Sequence, residues 1–391
     1  MHSAPPSVVR GCPFESLSCR AGTPSLHCRF ITSGSIAMSN WNRAFTNLIR
    51  NSRPPFWGNW ALSPQIRPGA VGIVDPTSGD FRLVAADLLK VKVNDAATSN
   101  TWQLSSEHVS RKEASLKLDA STVDPETGTK VDAGLEVKWG LEKAGAIASE
   151  FALSHESTVE DFGTVLHDNL DVLAAKAKSV SMGDGTNIAQ GFGVVTSVLW
   201  ANSGLNVGSQ EDSGSFSLAG SVSGINQMLG KASGRGSYVS TNQEKSIDRH
   251  LWPDRSGVIA PVPVPIAYTF ASFDRRLVIP NWIMPIGSFE LVLVNQVWCT
   301  YIVEVTLSYD TPSGPQTKKV QISGGLTKTF GDIPLNATNL RLHLRFIGMI
   351  NDDHYELQWP SPLGQWLTGQ RHIDMWGVWP GQTHYREREA Q

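Results

Sequence analysis

The sequence predicts an α+β fold: a mixed N-terminal domain with a twisted antiparallel sheet and amphipathic hairpins, followed by a C-terminal β-sandwich. Three observations predict it. Residues 38–274 combine helix-period stretches with runs in which apolar and polar side chains alternate. Residues 289–391 read as short strands spaced by turn residues, the pattern of a sandwich. The chain of 391 residues is 40% apolar and 18% charged, the composition of a protein with packed cores.

Residues 1–37 hold Cys12, Cys19 and Cys28 but no continuous apolar stretch and no small-residue cleavage site, so they read as a disordered extension or an over-long start. The next segment, from Met38 to Val74, carries Arg43, Arg50, Arg53 and Arg67 and no acid before Asp75. Within it Trp41, Phe45, Leu48 and Ile49 share one helical face while Arg43 and Arg50 take the other. Such a helix suits an anionic membrane surface, and it equally suits the cap of a core with its arginines in water.

Two arms of period 2 follow. Leu116, Leu118 and Ala120 alternate with Lys117, Asp119 and Ser121; Val131, Ala133, Leu135, Val137 and Trp139 alternate with Asp132, Gly134, Glu136 and Lys138. Asp124–Gly128 supplies the turn residues between them. The result is an antiparallel hairpin with one apolar and one charged face, either packed inward on a soluble domain or of a length that crosses a bilayer when tilted. A helix is expected next on Val159, Phe162, Leu166, Leu170 and Leu173, with Ser157 and Glu160 as a capping box. A second strand pair is expected from residues 191–202 and from the alternation of Phe216, Leu218 and Val222 with serines. The prolines and valines of 260–266 lead into an extended 268–273. These features divide the chain into 1–37, a domain at 38–274, a linker at 275–288 and the sandwich at 289–391.

A formal charge of −3 gives no global pull toward nucleic acid. No apolar run reaches the roughly 20 residues of a spanning helix. Cys299 is alone in the body of the chain, so no disulfide framework is expected. Gly220-Ser221-Val222-Ser223-Gly224 has valine where a nucleophile elbow needs serine, and Gly230-Lys231 lacks the glycine spacing of a phosphate loop. His372 and Asp374 share a strand face without a third ligand, and His343, His354 and His384 are scattered singly. The chain is therefore expected to be no enzyme and to use no cofactor or metal. Its last quarter gathers Trp359, Trp366, Trp376 and Trp379, the makings of a β core or of an aromatic tip aimed at a membrane or a sugar.

Tyr301-Ile302, Leu307-Ser308-Tyr309-Asp310, Ile333-Pro334-Leu335, Asn339-Leu340-Arg341-Leu342 and Ile373–Gly377 occur in an order and spacing that resembles the C-terminal membrane-binding domain of the cholesterol-dependent, or thiol-activated, cytolysins. The resemblance covers about 100 residues. It implies a sandwich whose loops at one end touch a bilayer. The family's tryptophan-rich loop maps onto 347–359, which has no cysteine and carries Asp352, Asp353 and Glu356, and its threonine-leucine pair maps onto Val378-Trp379. The resemblance thus keeps the sandwich and puts sterol recognition in doubt. It also makes Trp376 structural and leaves Val378, Trp379, Trp359 and Trp366 as tip residues. The order of parts in 38–274 is similar to the pore-forming domain of gasdermins. That implies a lipid-binding helix (Trp41, Arg43, Phe45, Arg50, Arg53) and a transmembrane hairpin (Leu116, Leu118, Ala133, Leu135, Val137, Trp139) in a homo-oligomeric pore, on anionic or sterol-containing lipid. One alternative is a carbohydrate-binding or adhesive sandwich in which Trp359, Trp366 and Trp379 stack on sugar rings. Another is a sandwich that represses the first domain until the linker is cut.

Overall fold

The computed structural model describes residues 41–98, 100–117, 133–231, 240–244, 246–253, 262–283, 289–334, 337–360, 362–366 and 369–389. The predicted extension 1–37, Leu118 and Ala120 of the first hairpin, and 284–288 of the predicted linker lie outside this set. The fold is α+β and dominated by antiparallel sheets.

Helix α1 (Trp41–Arg50) forms where the sequence places it. Phe45, Leu48 and Ile49 are buried, Trp41 stacks on Trp60 at 5.8 Å, and Phe45 meets Trp60 and Phe151 at 5.8 and 6.1 Å. Five short strands follow: β1 (Trp57–Gly58), β2 (Val71–Val74), β3 (Phe81–Ala85), β4 (Val93–Ala97) and β5 (Thr101–Ser105). The hairpin arms are β6 (Val109–Lys117) and β7 (Ala133–Leu141). The long β8 (Ile147–Val159) leads through α2 (Phe162–Asp168) and α3 (Leu170–Ser179) to β9 (Phe192–Ser209). Next come β10 (Gly214–Ser221), α4 (Val222–Met228), β11 (Ser240–Gln243), β12 (Ile247–Trp252), β13 (Val264–Asp274) and β14 (Leu277–Ile279).

Ten of these strands make one antiparallel sheet with β9 as its spine. β9 is 18 residues long and serves four partners: β8 through residues 197–208, β2 through 192–194, β13 through 193–201 and β12 through 204–209. Its first ten residues, Phe192–Ala201, are buried except for Trp200, so both faces of the spine are covered. α1 lies in one core with Phe151, Leu199 and Ile266, while α2 and α3 pack Leu166, Leu173 and Ala174 with Phe192, Val194 and Phe273 in another. A second sheet, ordered β11-β10-β7-β6, joins Trp139, Phe216 and Leu218 to Leu205 and Val207 of the spine and to Ile225 and Met228 of α4.

Several expectations are corrected here. The second hairpin does not form, because β9 and β10 belong to different sheets; β10 pairs with β7 and β11, and Val222 opens α4. The capping box fails because β8 runs on to Val159, where Ser157 donates to Asp95 at 2.6 Å; Asp161 is the N-cap residue of α2. The first half of the predicted linker is structured: β14 pairs with β13, and Trp282 is buried and stacked on Trp57 at 5.4 Å.

The last part is a two-layer sandwich of eight strands: β15 (Phe289–Asn295), β16 (Ile302–Thr311), β17 (Gly314–Ile322), β18 (Thr327–Ile333), β19 (Thr338–Ile347), β20 (Asp353–Trp359), β21 (Gln370–Gly377) and β22 (Thr383–Glu389). One sheet runs β18-β15-β21-β22, with β15 and β21 parallel, and the other β17-β16-β19-β20. Alternate residues such as Leu291, Leu293, Val303, Val305, Leu307, Leu342, Leu344, Ile373 and Met375 fill the space between them. At its near end the sandwich grips the first part. Arg371, buried at the start of β21, pairs with Glu107 just past β5 and lies 4.6 Å over the Trp366 ring, and the Glu107 N–H donates to the Gln365 carbonyl at 2.9 Å. Gly364 sits against the Asn47 carbonyl of α1, where a side chain would not fit.

At Gly193 a Cβ would run into the carbonyl oxygen of Ala271 on β13, so the spine needs glycine for its strands to close. Gly193→Ala is expected to destabilise the protein by about 1–3 kcal/mol in urea unfolding, with no change for the control Gly145→Ala beyond that of its positive φ.

Candidate functional site

Sandwich strands end level with one another at the end away from Arg371. Register sets Ile302 opposite Ile347 and Val303 opposite Ile322 in one sheet, and Asn295 beside Met375 and Gly377 opposite Thr383 in the other. Four loops leave from there: 296–301, 323–326, 348–352 and 378–382. Their backbones are tied down. The buried Asn295 side chain donates to the carbonyls of Tyr301 at 3.0 Å and Ile322 at 2.9 Å, and the Gly325 N–H donates to the Asn295 carbonyl at 2.8 Å. Across the sheets the Thr300 N–H donates to Gly377 O at 3.0 Å, the Tyr301 hydroxyl to Gly381 O at 3.1 Å, and the Tyr355 hydroxyl to Thr383 O at 2.7 Å.

The side chains on these loops point the other way. Val297 is 84% exposed, Trp298 55%, Met349 82% and Ile350 88%, and Ile302, Leu326, Val378 and Trp379 are each about half exposed. Eight of the fourteen large apolar side chains exposed among the described residues therefore sit on this one end, which makes it a patch and not scatter. Cys299, in the middle of the first loop, turns inward into the core, and that burial raises its thiol pKa. Asp352 closes the third loop, accepting from the Gly348 N–H at 2.9 Å and from Arg345 at 2.6 Å. These two bonds hold its carboxyl below the usual range.

Of the predicted tip residues, Val378 and Trp379 lie on the patch, and the Trp379 N–H is fixed on the Thr300 hydroxyl at 2.7 Å. Trp359 and Trp366 do not. Both are buried in the sandwich core, 6.2 Å apart edge to face, with the Trp359 indole N–H on Glu387 at 2.8 Å. Trp376, expected in the core, is half-buried on the outer face and pairs with the His384 ring at 5.6 Å, because Met375 takes the inward position. His372 and Asp374 form no metal pair: Asp374 is held by Arg388 at 2.9 Å and Arg386 at 3.3 Å. The sequence reading missed Val297, Trp298, Ile302, Leu326, Met349 and Ile350. Two of these groups are adjacent apolar pairs at strand ends, where alternation stops, and that was the available signal.

The helix predicted to meet lipid is enclosed. Phe45 is in the core, Trp41 is half-buried on Trp60, and Arg43 is half-buried. Arg50 is buried with its guanidinium 4.2 Å over the Trp57 ring and its Nε donating to Phe56 O at 3.0 Å; burial lowers its pKa to about 10, which still leaves it charged at neutral pH. Arg53 pairs with Glu156 at 2.7 Å. Of its two uses, α1 serves here as the cap of a core.

The predicted transmembrane hairpin exists as β6–β7, but its register differs from expectation. Val137 and Trp139 are buried and Leu135 half-buried on the inner face of β7. Glu113 pairs with Val137 and Arg111 with Trp139, so β6 contributes charges to that face. Leu116 lies opposite Gly134 and turns to the other side with Glu136 and Lys138, while Ala133 pairs with Lys117 at the end of the ladder. Among the described residues β6 and β7 form no common apolar face. Arg111 is drawn inward by the buried Glu150, at 3.0 Å.

No family model matches the sequence, and no curated protein matches it. Solved structures are similar at a low level. The membrane-binding domain of pneumolysin matches over 26% of this chain and 97% of its own length, at 13% identity and a TM-score of 0.20. A disulfide-locked mutant of intermedilysin with human CD59 matches over 86% and 87%, at 10% identity and 0.23. A non-hemolytic pneumolysin from Streptococcus pneumoniae strain ST306 matches over 85% and 86%, at 9% identity and 0.20. Likenesses with TM-scores this low assign neither a family nor an activity to the chain. Among the described residues no helix is long and apolar enough to cross a membrane, which says nothing of strands.

Because the folded Asp352 pKa is depressed, its hold on the third loop is complete above the ordinary carboxylate range and is lost as pH falls through the lower folded value. The Gly348 amide resonance is expected to titrate with a midpoint below that of an unpaired aspartate, and Asp352→Asn to abolish that titration.

Proposed function

We propose that this protein binds lipid membranes through the loop end of its sandwich, and that the one observation carrying this is the convergence of eight exposed apolar side chains there, seven on the four loops and Ile302 at the start of β16. A large apolar side chain moved from water into lipid contributes roughly 1.5–3 kcal/mol. Val297, Trp298, Met349 and Ile350 alone would thus contribute roughly 6–12 kcal/mol before the losses of immobilisation. Entry of the loops into the interface is eased because part of their backbone, including the carbonyls of Tyr301 and Ile322 and the N–H groups of Thr300 and Gly325, is already bonded within the sandwich. Trp298 and Trp379 supply the aromatic residues favoured at a lipid–water boundary.

Pore formation by a homo-oligomer is the further step of this proposal. Each arm of β6–β7 has nine residues, which is the lower end of what a tilted spanning strand needs. Insertion would require Arg111 to leave Glu150 and the pair to slip by one residue, which would bring Leu116 onto the face of Leu135, Val137 and Trp139. The glycan-binding alternative is weakened, since two of its three stacking residues, Trp359 and Trp366, are inside the core.

Cosedimentation with vesicles of phosphatidylcholine, alone or with phosphatidylserine or cholesterol, tests the docking step. Binding to at least one composition is expected, with Ile350→Asp weakening it by about tenfold or more, equivalent to ~1.4 kcal/mol, and leaving thermal unfolding unchanged. Absence of binding to all three would overturn the proposal. Dye release from the same vesicles separates the two steps: binding with full dye retention removes pore formation and keeps docking.

A further inference from the structure

We propose that His343, His354 and Glu356 form a surface site for a divalent transition-metal cation of the zinc or copper type. The two histidines, which look scattered in the sequence, meet across the adjacent strands β19 and β20: His354 Nδ1 and His343 Nε2 are 3.1 Å apart, with ring centroids at 5.2 Å and planes inclined by 32°. Two imidazole nitrogens bound to one tetrahedral zinc, each about 2.0–2.1 Å from it, lie roughly 3.3 Å from each other. The pair therefore already has the spacing of two ligands.

The sheet also positions the third group. Antiparallel register sets His343 directly opposite Glu356, and His354 and Glu356 are two apart on β20, so all three project from the outer face while Leu342, Leu344 and Leu357 fill the core. Opposed residues have Cβ atoms about 4.5–5.5 Å apart. The carboxylate of Glu356 is engaged only weakly, by the Gln358 amide at 3.4 Å. Among the described residues no three donors already converge on one point, so Glu356 must turn toward the histidines, with water completing the shell. Two histidines, one glutamate and open positions make a donor set that suits zinc.

The surroundings favour the site. Arg345, next to His354 in the ladder, is occupied by Asp352 at 2.6 Å and by Glu304 at 3.6 Å, so its charge is compensated. His354 and Glu356 are exposed and His343 is half-buried, which gives a cation direct access from water. On binding, the ring that donates in the His–His hydrogen bond moves its proton to its other nitrogen, and both facing lone pairs go to the metal. No oxidation or group transfer is involved. Unlike the docking proposal, this one uses none of the exposed apolar side chains of the loop end.

Calorimetric titration of the metal-free full chain with Zn²⁺, and electron paramagnetic resonance with Cu²⁺, test it. One saturable equivalent is expected, with two imidazole nitrogens in the copper spectrum. His343→Ala and His354→Ala should each weaken binding by no less than the roughly tenfold that follows loss of even an outer-shell partner. Glu356→Gln should weaken it less, and an unchanged affinity there would remove the carboxylate from the set. Unfolding without metal should be the same in all variants, because the three side chains lie outside the core. Either an absence of saturable binding, or a full-strength site surviving in the His343→Ala/His354→Ala double variant, would overturn the proposal.

Discussion

A strand with four partners fixes most of the first part of this protein. β9 must be long, buried on both faces and able to let β13 come very close at Gly193, and each requirement limits its composition. The run Phe192–Trp200 meets the first two with valine, leucine and threonine, residues that suit a pleated, covered surface. Helix α1 and the pair α2–α3 are then placed in two separate cores by what the spine presents to them. The second sheet is held through the far half of the same strand, by Leu205 and Val207.

The sandwich solves a different problem. Its loop end shows apolar side chains to solvent, an arrangement that is unfavourable in isolation and useful only if something else covers it. Asn295 is central to that arrangement: one buried amide bonds two carbonyls from two different chain segments and so sets where one loop ends and another begins.

How much of this could be read in the sequence depended on whether a residue's neighbours in space were also its neighbours along the chain. Helix α1 and the sandwich strands announce themselves by local period, and they formed as expected. What α1 packs against is non-local: Trp60, Phe151 and Ile266 decide that it is enclosed, and nothing within Trp41–Arg50 distinguishes that outcome from a lipid surface. Register is equally invisible to alternation. Leu116 and Leu135 each sit in a proper period-2 run, yet the observed pairing sends them to opposite faces and brings Arg111 inward onto the buried Glu150. Tryptophan content misled for a related reason, since Trp359 and Trp366 are large enough to fill a core, and the indole N–H of Trp359 is bonded there to Glu387. The exposed pairs Val297-Trp298 and Met349-Ile350 were overlooked because they interrupt a pattern instead of making one.

The second residue of β21 is the buried Arg371, clamped against Glu107 of the first part, and the strand ends at Gly377 beside the exposed loops. Six residue steps of about 3.3 Å separate these points, so a stiff rod of roughly 20 Å links the loops to the rest of the molecule. Its central position in the sheet, between β15 and β22, denies it slack. Leverage follows: a sandwich held by its loops and tilted would deliver its torque to this near end, where the Arg371–Glu107 pair, the Glu107–Gln365 hydrogen bond and the close approach of Gly364 to Asn47 join the two parts.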